Sequence, residues 1–177
     1  MAAIEPLAEA SSPKLLEAAR DLFRAYAAFL REIQACHAFN FSSFDDEIRT
    51  LPLPYTTANG ELLLALADPA TPVGCIAFRS APPASDPGAC ELKRLFVLPT
   101  HCGEGIAEHL VQTALDHARF RGYRMAILDT EPSTMQAANN LYRKLGFTSY
   151  TPSRPHNPVD VTYLRKDLLQ PPAPRHV

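Results

Sequence analysis

The stretch Cys90-Glu-Leu-Lys-Arg-Leu-Phe-Val-Leu-Pro-Thr-His-Cys-Gly-Glu-Gly-Ile-Ala107 passes straight into a long amphipathic segment. Its first part reads as a strand, the pair Gly103 and Gly105 as a tight turn, and the amphipathic segment as a helix. That order points the first backbone N–H groups of a helix, at its positive end, toward whatever anion lies above the turn. The turn is not a P-loop, because no Lys-Ser/Thr pair follows Gly105. It is not the dinucleotide fingerprint either, because Glu108 stands at the third glycine position.

On the N-terminal side, Ser12-Pro13 opens a helix with Ser12 as N-cap, and Leu15, Leu16, Ala19, Leu22, Phe23, Tyr26, Phe29, Leu30 and Ile33 form its apolar stripe. A short second helix is expected around 42–48, ending before Pro52. Residues 61–67 and 73–80 are apolar runs separated by a Pro-rich turn, a hairpin signal. C-terminal to the opening stretch, Ile106, Leu110, Val111, Ala114, Leu115 and Ala118 share one helix face that stops at Gly122. A buried strand at 124–129 follows. Ser133 is expected to cap a helix with apolar positions Ala137, Ala138, Leu141 and Leu145, closed by Gly146. Segments 147–150 and 159–165 read as a final strand pair. This is an α/β order with one right-handed crossover over 91–129, giving an open mixed sheet. Ligands of such sheets lie beyond the carboxyl ends of the central strands, where those strands part, and the turn at 99–107 falls at that edge.

A length of 177 residues suffices for a core without metal or disulfide staples, so one domain over 1–169 is expected, with 170–177 as a frayed tail. A net charge of −2 argues against a polyanion-binding surface. The basic run from Arg119 to Arg124 spans a helix C-terminus, where arginine complements the dipole, so no nucleic-acid partner is expected. The absence of a targeting pattern and of any long apolar run leads to an expectation of a cytoplasmic chain without a membrane partner. Cys36, Cys75, Cys90 and Cys102 show no C-x-x-C pairing, so free thiols and no metal site are expected.

Further along, Ala138-Asn-Asn-Leu-Tyr-Arg-Lys-Leu-Gly-Phe147 fits A-x-x-x-Y-x-x-x-G-F. With the turn over Cys102, Gly103, Glu104, Gly105, Ile106 and Ala107, it resembles the signatures of the GCN5-related N-acetyltransferase (GNAT) superfamily, whose turn pattern is Gln/Arg-x-x-Gly-x-Gly/Ala. The resemblance covers about residues 60–167, and the segments around Cys90 and Leu128 look like a bacterial subgroup of unassigned acceptor.

The resemblance implies the acyl-CoA N-acyltransferase fold, a mixed, mostly antiparallel sheet with a splayed parallel central pair flanked by helices. It implies acetyl transfer from acetyl-CoA to a primary amine, a small molecule or an amino terminus, by direct attack in a ternary complex. It also implies that the turn holds the CoA pyrophosphate, and that a bulge at Leu95, Phe96 and Val97 holds the pantetheine arm and polarises the thioester through backbone N–H groups. Tyr142 is implied as the acid that protonates the departing thiolate, and also as a CoA contact. Leu141 reads as core and Tyr142 as lying off that stripe, although a packed aromatic is the alternative. Glu91 is implied as a base acting through water; the alternative is a solvated strand-end charge, and Asp129 stands in reserve.

Two positions depart from the pattern. Cys102 replaces the Gln or Arg that opens the turn, and Met135 stands where an asparagine often holds the pantetheine amides. His101, Arg143 or Lys144 are candidates to supply the missing phosphate contact. A degenerate domain that senses acyl-CoA without turnover is therefore the alternative reading. Acceptor choice is expected to lie with the N-terminal helices, residues 39–55 and the loop 151–158. Asp45, Asp46 and Glu47 either draw a cationic amine or decorate a helix start. The reading leaves room for a homodimer.

Overall fold

The computed structural model describes residues 2–33, 41–82, 87–152 and 161–169. The expected tail at 170–177 and most of the loop 151–158 lie outside them. The elements run β1 (Ala3–Pro6), α1 (Pro13–Glu32), α2 (Phe41–Thr50), α3 (Leu53–Thr56), β2 (Glu61–Asp68), β3 (Thr71–Ser80) and β4 (Ala89–Val97). A 3-10 turn at Pro99–His101 leads to α4 (Ile106–Phe120), β5 (Met125–Thr130), α5 (Gln136–Lys144), β6 (Thr148–Ser149) and β7 (Thr162–Asp167). Among the described residues one sheet carries these seven strands, in the order β1-β2-β3-β4-β5-β7-β6.

Local chemistry accounts for most boundaries. Ser12 caps α1, its Oγ accepting from the Leu15 N–H at 3.2 Å, with Pro13 at the first position. Asp68 Oδ1 accepts from the Ala70 N–H at 2.9 Å inside the β2–β3 turn. Gly122 and Gly146, at φ 87° and 84°, follow the ends of α4 and α5 in a left-handed conformation that L side chains rarely adopt. Two expectations about helix starts fail. Ser133 does not cap α5: its Oγ bonds Glu131 Oε1 at 3.0 Å, and the helix starts after Met135 with no side-chain cap. Asp45 and Asp46 are not at a helix start, because α2 already begins at Phe41.

The sheet separates two cores. Leu63, Ile76, Phe78, Leu92, Leu110, Val111, Leu128 and Leu164 pack on the face shared with α4 and α5. Leu22, Phe23, Tyr26, Phe44, Tyr55, Leu62, Leu64 and Phe96 pack on the face covered by α1 to α3. The alternation of β2 and β3 feeds both, which is why they read as continuous apolar runs.

β4 is antiparallel to β3 but parallel to β5. Its pairing with β5 covers only Ala89↔Met125, Cys90↔Ala126 and Glu91↔Ile127. On the other edge Cys75 faces Phe96 while Ala77 faces Lys93, so Arg94 and Leu95 together oppose Ile76. That is a β-bulge, and it turns β4 away from β5 just beyond their last shared pair. Arg94 takes φ 61° to make it, a conformation that costs a non-glycine residue about 1 kcal/mol or more.

Candidate active site

Beyond Glu91 and Ile127, toward their carboxyl ends, β4 and β5 share no further pairs. On one side, the chain leaves β4 through the 3-10 turn, extends at Cys102 (φ −69°, ψ 146°), and turns at Gly103 (φ 86°) and Gly105 (φ 77°) into α4. Gly105 is the N-cap of α4 and offers no side-chain acceptor, so no capping side chain occupies the first N–H groups of this helix. A Cβ built on Gly103 or Gly105 would meet nothing within 4 Å. Both glycines therefore answer a dihedral demand and border open space.

The residues of the turn divide by depth. Cys102, Gly103, Glu104 and Gly105 are exposed, Ala107 is half-buried, and Ile106 anchors the helix start in the core. Glu108 in the first turn of α4 is met by Lys144 Nζ at 2.6 Å, which brings the end of α5 against the start of α4. His101 Nδ1 lies 3.3 Å from Glu104. Of the three candidates for the missing phosphate contact, Lys144 is thus held at the rim of the turn. Cys102 has no cationic role; its Sγ lies 3.7 Å from the Leu98 carbonyl.

Along β4, Phe96 is buried under α1, with ring centroids 5.3 Å from Tyr26 and 5.7 Å from Phe29. Leu95 and Val97 are half-buried against the opposite core. The strand thus sends consecutive side chains into both cores, and its edge toward β5 carries no ladder beyond Glu91.

Tyr142 is 6% exposed and T-shaped against Phe147 at 5.4 Å. This corrects the stripe read from the sequence: Tyr142 and Asn139 are the buried residues of α5, while Leu141 is only partly buried. The reason is Asn139. Its Nδ2 donates to the Met135 carbonyl at 2.9 Å, the Glu131 carbonyl at 3.3 Å and Thr130 Oγ1 at 3.4 Å, so a polar residue fits the face that a purely apolar stripe would rotate away. Burial pushes the Tyr142 phenol well above its ordinary range, and the nearby Tyr26 and Asp129 act in the same direction. Tyr26, on α1, is itself pushed up to about 12, chiefly by burial. Tyr26 on α1, Asp129 on β5 and Tyr142 on α5 thus lie near enough for their charges to be felt by one another.

Glu91 is neither at the start of its strand nor solvated. Strand β4 starts two residues earlier, and Glu91 is 1% exposed. Arg79 stands 3.3 Å from its carboxylate and Lys93 3.2 Å. Asp129, at the carboxyl end of β5, is half-buried. Met135 packs against the core under α1.

The acids of α2 part company. Asp46 pairs with Arg49 on the surface. Glu47 turns inward, where Arg94 Nε and Nη2 donate to its two oxygens at 2.8 Å each and the Tyr55 hydroxyl donates to it as well. Sequence reasoning treated the bulge as backbone only and missed this pair. The available signal was Lys93-Arg94, two consecutive cations inside an otherwise apolar strand. The basic run is taken up by structure: Arg119 donates to the Leu168 carbonyl, Arg121 to Glu61 and Arg124 to the Pro87 carbonyl.

The family model for the acetyltransferase (GNAT) family matches residues 15–147, and the chain belongs to that family. An uncharacterised N-acetyltransferase of Schizosaccharomyces pombe is 33% identical over 129 residues, 72% of this chain and 76% of that protein. A GNAT-family acetyltransferase of Staphylococcus aureus Mu50 has the same fold, with a TM-score of 0.72 at 16% identity over 94% of this chain and 99% of its own. So does an aminoglycoside 6'-N-acetyltransferase complexed with coenzyme A, with a TM-score of 0.64 at 17% identity over 97% of this chain and 99% of its own. The fold that the two motifs implied is the one observed. Among the described residues no cluster of ligating side chains could hold a metal, and no helix is long and apolar enough to cross a membrane.

Proposed function

We propose that this chain transfers the acetyl group of acetyl-CoA to a primary amine, a small molecule or an amino terminus, by direct attack in a ternary complex. The observation that carries the reading is the uncapped start of α4 behind Gly103 and Gly105, with open space where their Cβ atoms would stand, at the point where β4 and β5 part. The chemistry of that cradle suits a pyrophosphate: backbone N–H donors of residues 103–107, the positive end of a 15-residue helix, and Lys144 at the rim. The coenzyme A bound to the aminoglycoside acetyltransferase supports the same choice of ligand.

The thioester supplies an activated acyl carbon. On this reading the Leu95–Val97 backbone binds the pantetheine arm and donates to the carbonyl oxygen as negative charge builds there. The amine nitrogen bonds to that carbon, the C–S bond breaks, and the sulfur takes the phenolic proton of Tyr142. A phenol is protonated at neutral pH, and burial shifts Tyr142 further in that direction. It makes the phenol a weaker acid, but a dry site raises the basicity of the thiolate in parallel.

The proton of the amine leaves through water to Glu91 or Asp129. Asp129 is half-buried where Glu91 is 1% exposed, so it is the more open of the two to water, and Glu91 holds Arg79 and Lys93 in place. Cys102 and Met135, which supply no polar cofactor contact, favour the second reading, an acyl-CoA sensor without turnover. Tyr142→Phe separates the two. An enzyme keeps its acetyl-CoA Kd and loses about 10²-fold or more in kcat. An unchanged kcat would remove the acid role.

A further inference from the structure

We propose that Arg94, clamped by Glu47, is a positioning residue that holds the β4 bulge in register for acetyl transfer. The inference rests on the acetyltransferase reading and assigns a task to the ion pair that this reading leaves unused. The clamp engages Arg94 at both ends. Its guanidinium forms a bidentate pair with Glu47 at 2.8 Å and 2.8 Å, lies 4.8 Å from the centre of the Phe44 ring, and is screened from water, at side-chain exposures of 15% and 13% for the pair. Its carbonyl oxygen accepts from the Cys75 thiol at 3.3 Å. The Tyr55 hydroxyl donates to Glu47 from α3, so α2 and α3 meet β4 at this ion pair, and β3 joins through the Arg94 carbonyl.

Arg94 is also where the strand departs from regular geometry. At φ 61° it adopts the conformation usually left to glycine, and with Leu95 it opposes the single residue Ile76. A strained residue persists where its surroundings over-determine it. The bidentate pair and the thiol contact supply that constraint, one through the side chain and one through the carbonyl. The next three residues, Leu95, Phe96 and Val97, are those whose backbone is proposed to meet the thioester. An Arg94 free to relax to negative φ would redirect their N–H groups. Arg94 reaches no reacting atom; it acts through the backbone that follows it.

Binding of acetyl-CoA labelled with ¹³C at the thioester carbonyl tests this, with full-length wild type, Arg94→Lys, Glu47→Gln and the double variant Glu47→Leu/Arg94→Met. Lysine keeps the charge but cannot form the fork. The double variant removes both charges together and so leaves no buried ion unpaired, which keeps the test valid if a single variant fails to fold. In wild type the bound carbonyl resonance should lie downfield of the free one, as donation from the bulge requires. In folded variants that displacement should fall by about half or more, with kcat down about tenfold and the acetyl-CoA Kd within about threefold. A displacement and kcat equal to wild type in the folded double variant would overturn the clamp while leaving the acetyltransferase reading intact. Wild type that binds no acetyl-CoA would defeat both.

Discussion

Alanine at both Gly103 and Gly105 separates what the turn does for folding from what it does for the ligand. The two residues sit at φ 86° and 77°, and holding an L side chain there costs roughly 1–2 kcal/mol each. No clash adds to this, because neither new Cβ would meet an atom within 4 Å. The double variant should therefore lose about 2–4 kcal/mol of stability, which lowers Tm by roughly 5–15 °C for a chain of this size. The effect on binding should be larger than the strain suggests. Two methyl groups would stand in the open space in front of the α4 N-terminus, where an anion must approach the N–H groups. A hydrogen bond to a charged group contributes about 1.5–3 kcal/mol, so loss of one or two weakens acetyl-CoA binding by about 10- to 10⁴-fold. Gly122→Ala is the control: φ 87°, again nothing within 4 Å, at the other end of the same helix. It should cost comparable stability per site and leave Kd unchanged. Thermal melting without ligand and titration calorimetry with acetyl-CoA read the two effects separately. Tight binding by Gly103→Ala/Gly105→Ala, or an equal loss in Gly122→Ala, would refute the placement of the cradle.

Two further expectations concern protons. Tyr26, Tyr55 and Tyr142 are held protonated chiefly by burial, with folded pKa values above the unfolded value near 10. The stability they lend is complete below about pH 10 and declines as pH rises through the folded values, at about 1.4 kcal/mol per pH unit for each group. Denaturant melts from pH 9 to 12 should show that decline, and constant stability across the range would contradict the burial of these rings. For the base, Asp129→Asn should lower kcat about 10²-fold or more with the acetyl-CoA Kd unchanged. Glu91→Gln should act mainly on stability, since Arg79 and Lys93 lose their partner; the reverse pattern assigns the base to Glu91.

Much of this site is legible in the chain because glycine and proline mark it. Gly103, Gly105, Gly122 and Gly146 all adopt the positive φ that their positions suggested, and Ser12-Pro13 starts α1 as expected. The strand-turn-helix from Cys90 onward is local chemistry and shows in local sequence. What stays hidden depends on partners distant in sequence. Glu47 and Arg94 are 47 residues apart, and nothing near either one specifies the other. Glu91 looks like a surface charge until β3 brings Arg79 beside it. Tyr142 reads as off the core because its neighbour Asn139 is polar, and only the carbonyls of Glu131 and Met135 explain how an amide is buried there. β1, four residues long and mostly exposed, has no periodicity to reveal it.

The central claim is acetyl transfer itself, and its most direct measurement offers full-length protein [¹³C₂]acetyl-CoA with a panel of primary amines and amino-terminal peptides, read by mass spectrometry of the acceptors alongside release of free thiol. One or a few labelled N-acetyl products should form in step with thiol release and be lost in Tyr142→Phe. Acetyl-CoA that binds tightly while no amine gains the label and no thiol appears would contradict the claim, and would leave a domain that senses the cofactor.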